Sequence, residues 1–336
     1  MPHPDPQSRM SQLLGGYRVT QMLHVAAALG IADRLADGPA SVDQLALATN
    51  AHRDSLYRLL RSLASMDVFV EQAPGHFANT PLASTLRKEA RGSLRPFALS
   101  YGAPWWWNSF GELLHSVRTG ETGFSKANGT AFFDYLESHP DAARVFNDNM
   151  SAMTRVEAEA VADAYDFANA RVFVDIGGGH GVLAAAILRR WPKTSAVVFD
   201  QPSVVAGASE ITASPSLGAR CRITGGDFFA AIPCGGDVYL LKDILHDWDD
   251  ERVKSILKNC RAAMSPGARL LVVERIVAPG NAPSAAKQVD ITMLVLTGGK
   301  ERTRDEYAGL LGACGFAIAR IIEMPTGGSV IEANVP

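Results

Sequence analysis

The stretch VFVDIGGGHGVLAAAILRRWPKTSAVVFD, residues 172–200, decides how the chain is read. Val172 to Ile176 is a short run rich in β-formers, and Gly177-Gly178-Gly179-His180-Gly181 is a glycine-rich turn. Helical spacing follows from Val182 to Trp191, then a second apolar strand from Ala196 to Phe199. Strand, turn, helix and strand in this order make a βαβ unit, which specifies a parallel sheet with helices on its faces. Further strands are predicted at residues 222–223, 237–241 and 269–273, and helices at 251–264 and 304–314. Two final strands, 316–323 and 328–334, are joined by Pro325-Thr326-Gly327 and predict an antiparallel hairpin at the sheet edge.

An open α/β sheet binds ligands at the carboxyl ends of its strands. A dinucleotide fingerprint would read G-x-G-x-x-G, whereas here Gly181 follows Gly179 by only two residues. That spacing counts against a dehydrogenase. Asp200 ends the second strand about 20 residues after the loop, where a carboxylate accepts hydrogen bonds from ribose hydroxyls. After the third strand, Gly225-Gly226-Asp227-Phe228-Phe229 sets a carboxylate suited to an exocyclic amine beside an aromatic face suited to adenine. Gly177, Gly178, Gly179, Asp200, Gly226, Asp227 and Phe228 therefore form one candidate adenosine site.

The rest of the chain bounds the answer. Its 336 residues suggest about two domains. A net charge of −3 provides no field that would draw nucleic acid or an anionic membrane. Cys221, Cys234, Cys260 and Cys314 match neither a disulfide framework nor paired metal-ligand spacing, which reads as reduced thiols in a cytoplasm. The first ten residues carry no apolar targeting core, and no later run approaches the ~20 apolar residues of a membrane span.

Residues 15–86 alternate helical patterns with short breaks and include a strand, a Pro-Gly turn and a second strand within 67–80, together a winged-helix pattern. It reads as a DNA reader or as a structural, dimer-forming unit. The would-be recognition segment carries Arg53, Arg58 and Arg61 but also Asp54, and the hairpin has no Lys or Arg, so charge favours the second. Residues 94–165 stay helical and concentrate aromatic rings, among them Trp105, Trp106, Trp107, Phe133 and Phe146. Adjacent helical residues point in different directions, so three neighbouring Trp cannot all enter one core face, and at least one is expected to line a cleft or interface. The predicted organisation is a winged-helix-like unit over 1–95, a helical connection contributing to an acceptor pocket over 96–165, and a cofactor-binding catalytic domain over 166–336.

Five stretches, VDIGGGHG (174–181), FDQP (199–202), GDFF (226–229), LKDILHDWDD (241–250) and GGKERT (298–303), together resemble a known family over nearly the whole chain. They are similar to the class I S-adenosylmethionine-dependent small-molecule O-methyltransferases, which include plant caffeate and flavonoid enzymes, acetylserotonin methyltransferase and bacterial antibiotic-tailoring enzymes. The resemblance implies S-adenosylmethionine as methyl donor, a Rossmann-like sheet, a helical dimerisation domain, a homodimer and an aromatic or polyketide-like acceptor. It also implies that His246 is the general base, that Glu274 and Glu301 orient it, and that Lys242 lies beside the cofactor. Read alone, Lys242 is equally a solvated strand end and Glu301 a surface charge.

Asp247, Asp249 and Asp250 would suit Mg²⁺, yet Asp249 or Asp250 reads better as the N-cap of helix 251–264, and the resembling family is metal-independent. Acceptor candidates are Trp106, Trp107, Phe133, Phe146, Asn147, Met150, Trp248, Met293 and Leu296; the resemblance implies a clamp at Met150 and Met293, whose polarizable sulfur suits planar rings. The same fold and cofactor also serve N- or C-methylation and non-methylating tailoring reactions. A ligand-sensing winged-helix regulator is a further reading, against which the sparse basic charge counts.

Overall fold

A computed structural model describes residues 5–336. It divides into two compact units, one ending at Trp107 and the other spanning Asn108–Pro336.

The N-terminal unit opens with helix Pro6–Ala28, whose first turn is capped by the Asp5 carboxylate. Helices Val42–Thr49 and Arg53–Ala64 follow, the first started by a reciprocal Ser41–Gln44 capping box. Strands β1 (Ala40–Ser41), β2 (Phe69–Ala73) and β3 (His76–Asn79) form an antiparallel sheet in the order β1-β3-β2. The β2–β3 hairpin is the wing of the sequence pattern; β1 is too short to show a period. Ile31, Leu45, Leu60, Leu63, Phe69 and Phe77 make the core. Arg53 on the would-be recognition helix is held by Asp43 and Asp54 at 3.1 and 2.9 Å, which cancels part of the positive charge a DNA reader needs. Trp105 and Trp106 are buried and Trp107 is half-buried, as divergent helical directions require.

The C-terminal unit carries the seven-stranded sheet: β4 (Val172–Ile176), β5 (Ser195–Asp200), β6 (Cys221–Gly225), β7 (Val238–Lys242), β8 (Arg269–Glu274), β9 (Ala317–Glu323) and β10 (Ser329–Asn334). Its order is β6-β5-β4-β7-β8-β10-β9. The first five strands in that order run parallel, and β10 inserts antiparallel between β8 and β9. The terminal hairpin thus lies at the edge, with β9 outermost. Successive strand residues face opposite sides, so both layers are apolar: Val174, Tyr239, Leu241 and Leu270 pack toward helices Asp250–Ala263 and Arg304–Ala313. Phe173, Val198, Leu240 and Leu271 pack toward helices Val182–Arg190 and Pro140–Ala164. Chain order reverses between β4, which leads on to β5, and β7, and this switch point brings the ends of β4, β5, β6, β7 and β8 to one rim. Among the described residues, no helix is long and apolar enough to cross a membrane.

Candidate active site

The three loops expected to hold adenosine converge on that rim. Gly177 leaves β4 with φ +68°, and a Cβ there would lie 2.2 Å from Ile244 Cδ1, so the turn needs glycine for its backbone and for the close approach of the next loop. The Gly179 N–H donates to Asp200 Oδ2 at 2.8 Å, and the Gln201 N–H to Asp200 Oδ1 at 2.7 Å. The Gly226 N–H donates to the Asp200 carbonyl at 2.9 Å. Asp227 folds its own turn by accepting the Phe229 N–H at 2.8 Å, and Asn259 Nδ2 donates to the carbonyls of Phe228 and Phe229 at 2.9 and 2.8 Å. Burial, then the nearby Asp200 carboxylate, push Asp175 up to about 7. Burial likewise raises Asp200, against the hydrogen bonds from Gly179 and Gln201.

One strand further, β7 ends at Lys242 and the 3₁₀ turn Leu245–Asp247 carries His246. His246 Nδ1 lies 3.1 Å from Glu301 Oε1 and 3.2 Å from Glu274 Oε2, all three side chains being buried. Two carboxylates at Nδ1 fix its proton there, which leaves Nε2 as the basic nitrogen, 3.8 Å from Asp247 Oδ1. Glu274 also holds the turn itself, because its Oε1 accepts the backbone N–H groups of Ile244, Leu245 and His246 at 3.1, 2.8 and 3.3 Å. Burial by itself would lower the His246 pKa, but the charges of Glu274 and Asp247, with the hydrogen bond to Glu301, lift it well above its ordinary value. Burial, partly offset by His246, pushes Asp247 up to about 7.

Beside this turn lies an aromatic wall. Trp248 stacks on Phe133 at 5.0 Å and meets the edge of Phe229 at 4.8 Å, and the Arg252 guanidinium lies 4.4 Å from the Trp248 ring centroid. Phe133 continues through Phe132 to Phe146, each pair 5.2 Å apart. Asn147 and Met150 are half-buried on helix Pro140–Ala164, and Met293 and Leu296 are buried on helix Ala285–Leu296. Trp106 lies in the N-terminal unit, where its ring packs 4.9 Å from Tyr101.

Set beside known proteins, the chain matches the O-methyltransferase domain model over residues 110–317 and the O-methyltransferase dimerisation domain model over residues 11–89. The chain belongs to the O-methyltransferase family. It is 46% identical to the phenazine O-methyltransferase PhzM of Lysobacter antibioticus over 97% of this chain and 96% of that one. It is 34% identical to the phenazine-1-carboxylate N-methyltransferase of Pseudomonas aeruginosa over 94% and 93%. The crystal structure of LaPhzM superposes with a TM-score of 0.96 at 45% identity, covering 99% of this chain and all of that one. The O-methyltransferase NcsB1 from neocarzinostatin biosynthesis, solved with S-adenosylmethionine and 2-hydroxy-5-methyl naphthoic acid, has a TM-score of 0.82 at 31% identity, covering 95% and 96%. The protein is an S-adenosylmethionine-dependent methyltransferase with a dimerisation domain.

The family's cofactor suits this rim. A Cβ on Gly178 would lie 2.9 Å from the Asp175 carboxylate, and Asp175 Oδ2 is buried without a hydrogen-bond partner, leaving polar capacity beside the glycine loop. A metal suits the site less well. Asp243, His246 and Glu274 bring potential ligand atoms within 4.8 Å of one another, but the two Asp243 oxygens are held by Lys242 and Arg275 and Glu274 Oε1 by three N–H groups. Asp249 is the N-cap of helix Asp250–Ala263, accepting the Arg252 N–H at 2.8 Å.

Within the family motifs, sequence reasoning overlooks a clamp. Arg302 is fully buried and donates to the carbonyls of Leu245 and Trp248, both at 2.8 Å, and to Asp250 Oδ1 at 2.9 Å, so it grips the His246 turn at both ends. Gly299 admits this loop, since a Cβ there would sit 2.0 Å from the His246 carbonyl oxygen. Asp290 accepts the Glu301 N–H at 2.9 Å and fixes the loop from helix Ala285–Leu296. The only signal in the sequence is the position of Gly299 and Arg302 beside Glu301 in GGKERT.

Proposed function

We propose that the protein methylates a hydroxyl on a planar aromatic small molecule, with His246 Nε2 as the general base. The observation that carries this reading is the double carboxylate contact at His246 Nδ1, 3.1 and 3.2 Å, which aims Nε2 and stabilises the imidazolium formed when a proton is taken up. Bound at the glycine loop, the cofactor supplies a methyl group already activated as a sulfonium. Gly177, Gly178 and Gly179 give it main-chain room, Asp200 takes its ribose, Asp227 and Phe228 its adenine, and Lys242 lies alongside. As the acceptor hydroxyl gives its proton to His246 Nε2, its oxygen forms a bond to the methyl carbon. The bound sulfonium would supply that methyl and keep the electron pair of the broken carbon–sulfur bond, giving S-adenosylhomocysteine. Glu274 and Glu301 hold the resulting charge. Phe133, Phe146, Asn147, Met150, Trp248 and Met293 line the acceptor; ring faces and thioethers suit a flat, polycyclic phenol.

A second reading, N-methylation, is favoured by the similarity to the phenazine-1-carboxylate N-methyltransferase. A nitrogen that carries a lone pair needs no base, so the buried acid–imidazole–acid array favours oxygen. We propose a homodimer as the working form: Met10, Leu13, Leu14 and Tyr17 form an exposed apolar stripe at helical spacing on helix Pro6–Ala28, which a second copy would cover. The test is methyl transfer over a panel of hydroxyphenazines, hydroxynaphthoates and their amino analogues, with products assigned by NMR. O-methylated product that disappears in His246→Ala supports the reading; N-methylated product unaffected by that change refutes it.

A further inference from the structure

Four charges lie next to the His246 turn, Lys242 and Glu157 buried and Asp243 and Arg275 partly so, and none carries a proton or a methyl group in the steps above. Lys242 Nζ lies 3.0 Å from Glu157 Oε2 and also contacts Asp243 Oδ2. Arg275 reaches Glu157 Oε1 at 2.9 Å and Asp243 Oδ1 at 3.1 Å. Each carboxylate bridges both cations and each cation both carboxylates, a closed ring of alternating sign and zero net charge. Side-chain exposures of 4% for Lys242, 10% for Glu157, 13% for Arg275 and 16% for Asp243 place it out of bulk water. Taking four charges out of water is a poor route to stability, since apolar side chains of similar volume do as well or better. What such a ring provides is register.

Its members sit where register matters. Lys242 ends β7 and Asp243 follows it with φ +53°, in the left-handed region, leading into the Ile244 N–H that Glu274 holds. Arg275 directly follows Glu274 at the end of β8. Three members are thus chain neighbours of the base machinery. The fourth, Glu157, lies on helix Pro140–Ala164, seven residues after Met150. Seven residues are two helical turns, so both lie on one stripe of the helix, about 10 Å apart along its axis. Between them, Ser151 Oγ lies 3.3 Å from His180 Nδ1 of the glycine loop.

We propose that the Glu157–Lys242–Asp243–Arg275 ring is a register lock that sets the acceptor helix against the base turn, making Glu157 and Arg275 positioning residues for the acceptor. Lys242 then acts on the acceptor side through Glu157 as well as lying beside the cofactor. The proposal rests on the acceptor reading above, with Met150 in the pocket.

The test compares the full-length protein with four variants. Glu157→Gln leaves two cations against one carboxylate, and Glu157→Leu/Arg275→Met restores neutrality and removes every polar tie to the helix. The other two are Met150→Ala alone and Met150→Ala with Glu157→Gln. Acceptor KM is measured with 1,4-dihydroxy-2-naphthoic acid or whichever panel member wild type methylates best, alongside S-adenosylhomocysteine affinity and Tm. A register lock raises acceptor KM about tenfold in both the single Glu157 variant and the neutral double variant while cofactor affinity stays within about twofold, because a shifted acceptor helix loses contacts made to the bound acceptor in ground and transition state alike. Tm falls in the single variant and recovers in the neutral double variant. Adding Glu157→Gln to Met150→Ala brings no further rise in KM. A neutral double variant with wild-type acceptor KM makes the ring a stabilising device only and overturns the proposal, as does cofactor affinity falling in step with KM. A wild-type protein that methylates nothing in the panel overturns the acceptor reading instead, so the two failures are distinguishable.

Discussion

The two halves of the rim are built differently. At β4, β5 and β6 the loops are tied by main-chain N–H groups and by carboxylates that bond within their own or the neighbouring turn, Gly179 and Gln201 to Asp200 and Phe229 to Asp227, with the neutral Asn259 amide reaching in from a distant helix. At β7 and β8 the ties are buried charges that cross long stretches of sequence, from His246 to Glu274 and Glu301, from Arg302 to Leu245 and from Arg275 to Glu157. The difference follows from the role proposed for each half. A loop that cradles an adenosine needs close backbone approach and a few fixed acceptors. A loop that moves a proton needs an imidazole whose charge is compensated from several directions, and one segment cannot supply them all.

Four measurements put this contrast to the test. The largest effect is expected at the base: His246→Ala should lower kcat by about 10²- to 10⁴-fold at neutral pH with S-adenosylhomocysteine affinity nearly unchanged. Equal losses in both would erase the division between the halves. Asp200→Ala should do the reverse, weakening S-adenosylhomocysteine binding about tenfold or more through lost charge-assisted hydrogen bonds, as titration calorimetry would read. Unchanged affinity would remove Asp200 from the ribose.

A smaller, sign-specific effect concerns pH. In the proposed mechanism His246 works as neutral imidazole, and its carboxylate neighbours favour the imidazolium, so kcat/KM should rise with pH through a pKa above the ordinary histidine value. Glu301→Gln removes one of those negative charges, so the rising limb should move to lower pH while the plateau falls; a limb that stays in place would leave Glu301 without electrostatic influence on the base. The smallest effect is on stability. Asp175, raised to about 7, keeps its proton in the folded state over a range where the unfolded chain has lost it, so this group costs stability as pH rises from about 4 toward 7. Asp175→Asn should therefore raise Tm at pH 8 and leave it nearly unchanged at pH 4; a gain equal at both pH values would point to packing rather than charge.

The same contrast explains what the sequence makes legible. VDIGGGHG, the carboxylate at Asp200 and GDFF are short, local and in strand order, so their roles follow from spacing and from the rule that ligands gather at strand ends. The terminal hairpin is legible for the same reason. Glu301 stands out through its motif, while its neighbour Arg302 reads as one more surface charge, because nothing in KERT indicates that this guanidinium is fully buried against two carbonyls. Glu157 is less visible still: on helix Pro140–Ala164 it reads as an ordinary acidic residue, and its two partners lie 85 and 118 positions away. The Asp243–His246–Glu274 trio shows the converse, since the sequence pattern cannot tell that two cations already hold Asp243.

The parallel sheet, its terminal hairpin and the loops proposed to hold adenosine are written in the sequence, because alternating apolar runs and glycine turns are local instructions that each segment carries whole. Which charges neutralise which around His246, and which helix carries the Glu157 carboxylate to Lys242 and Arg275, emerges only on folding. Coulomb energies depend on distance and burial after folding, and neither is a property of any segment alone.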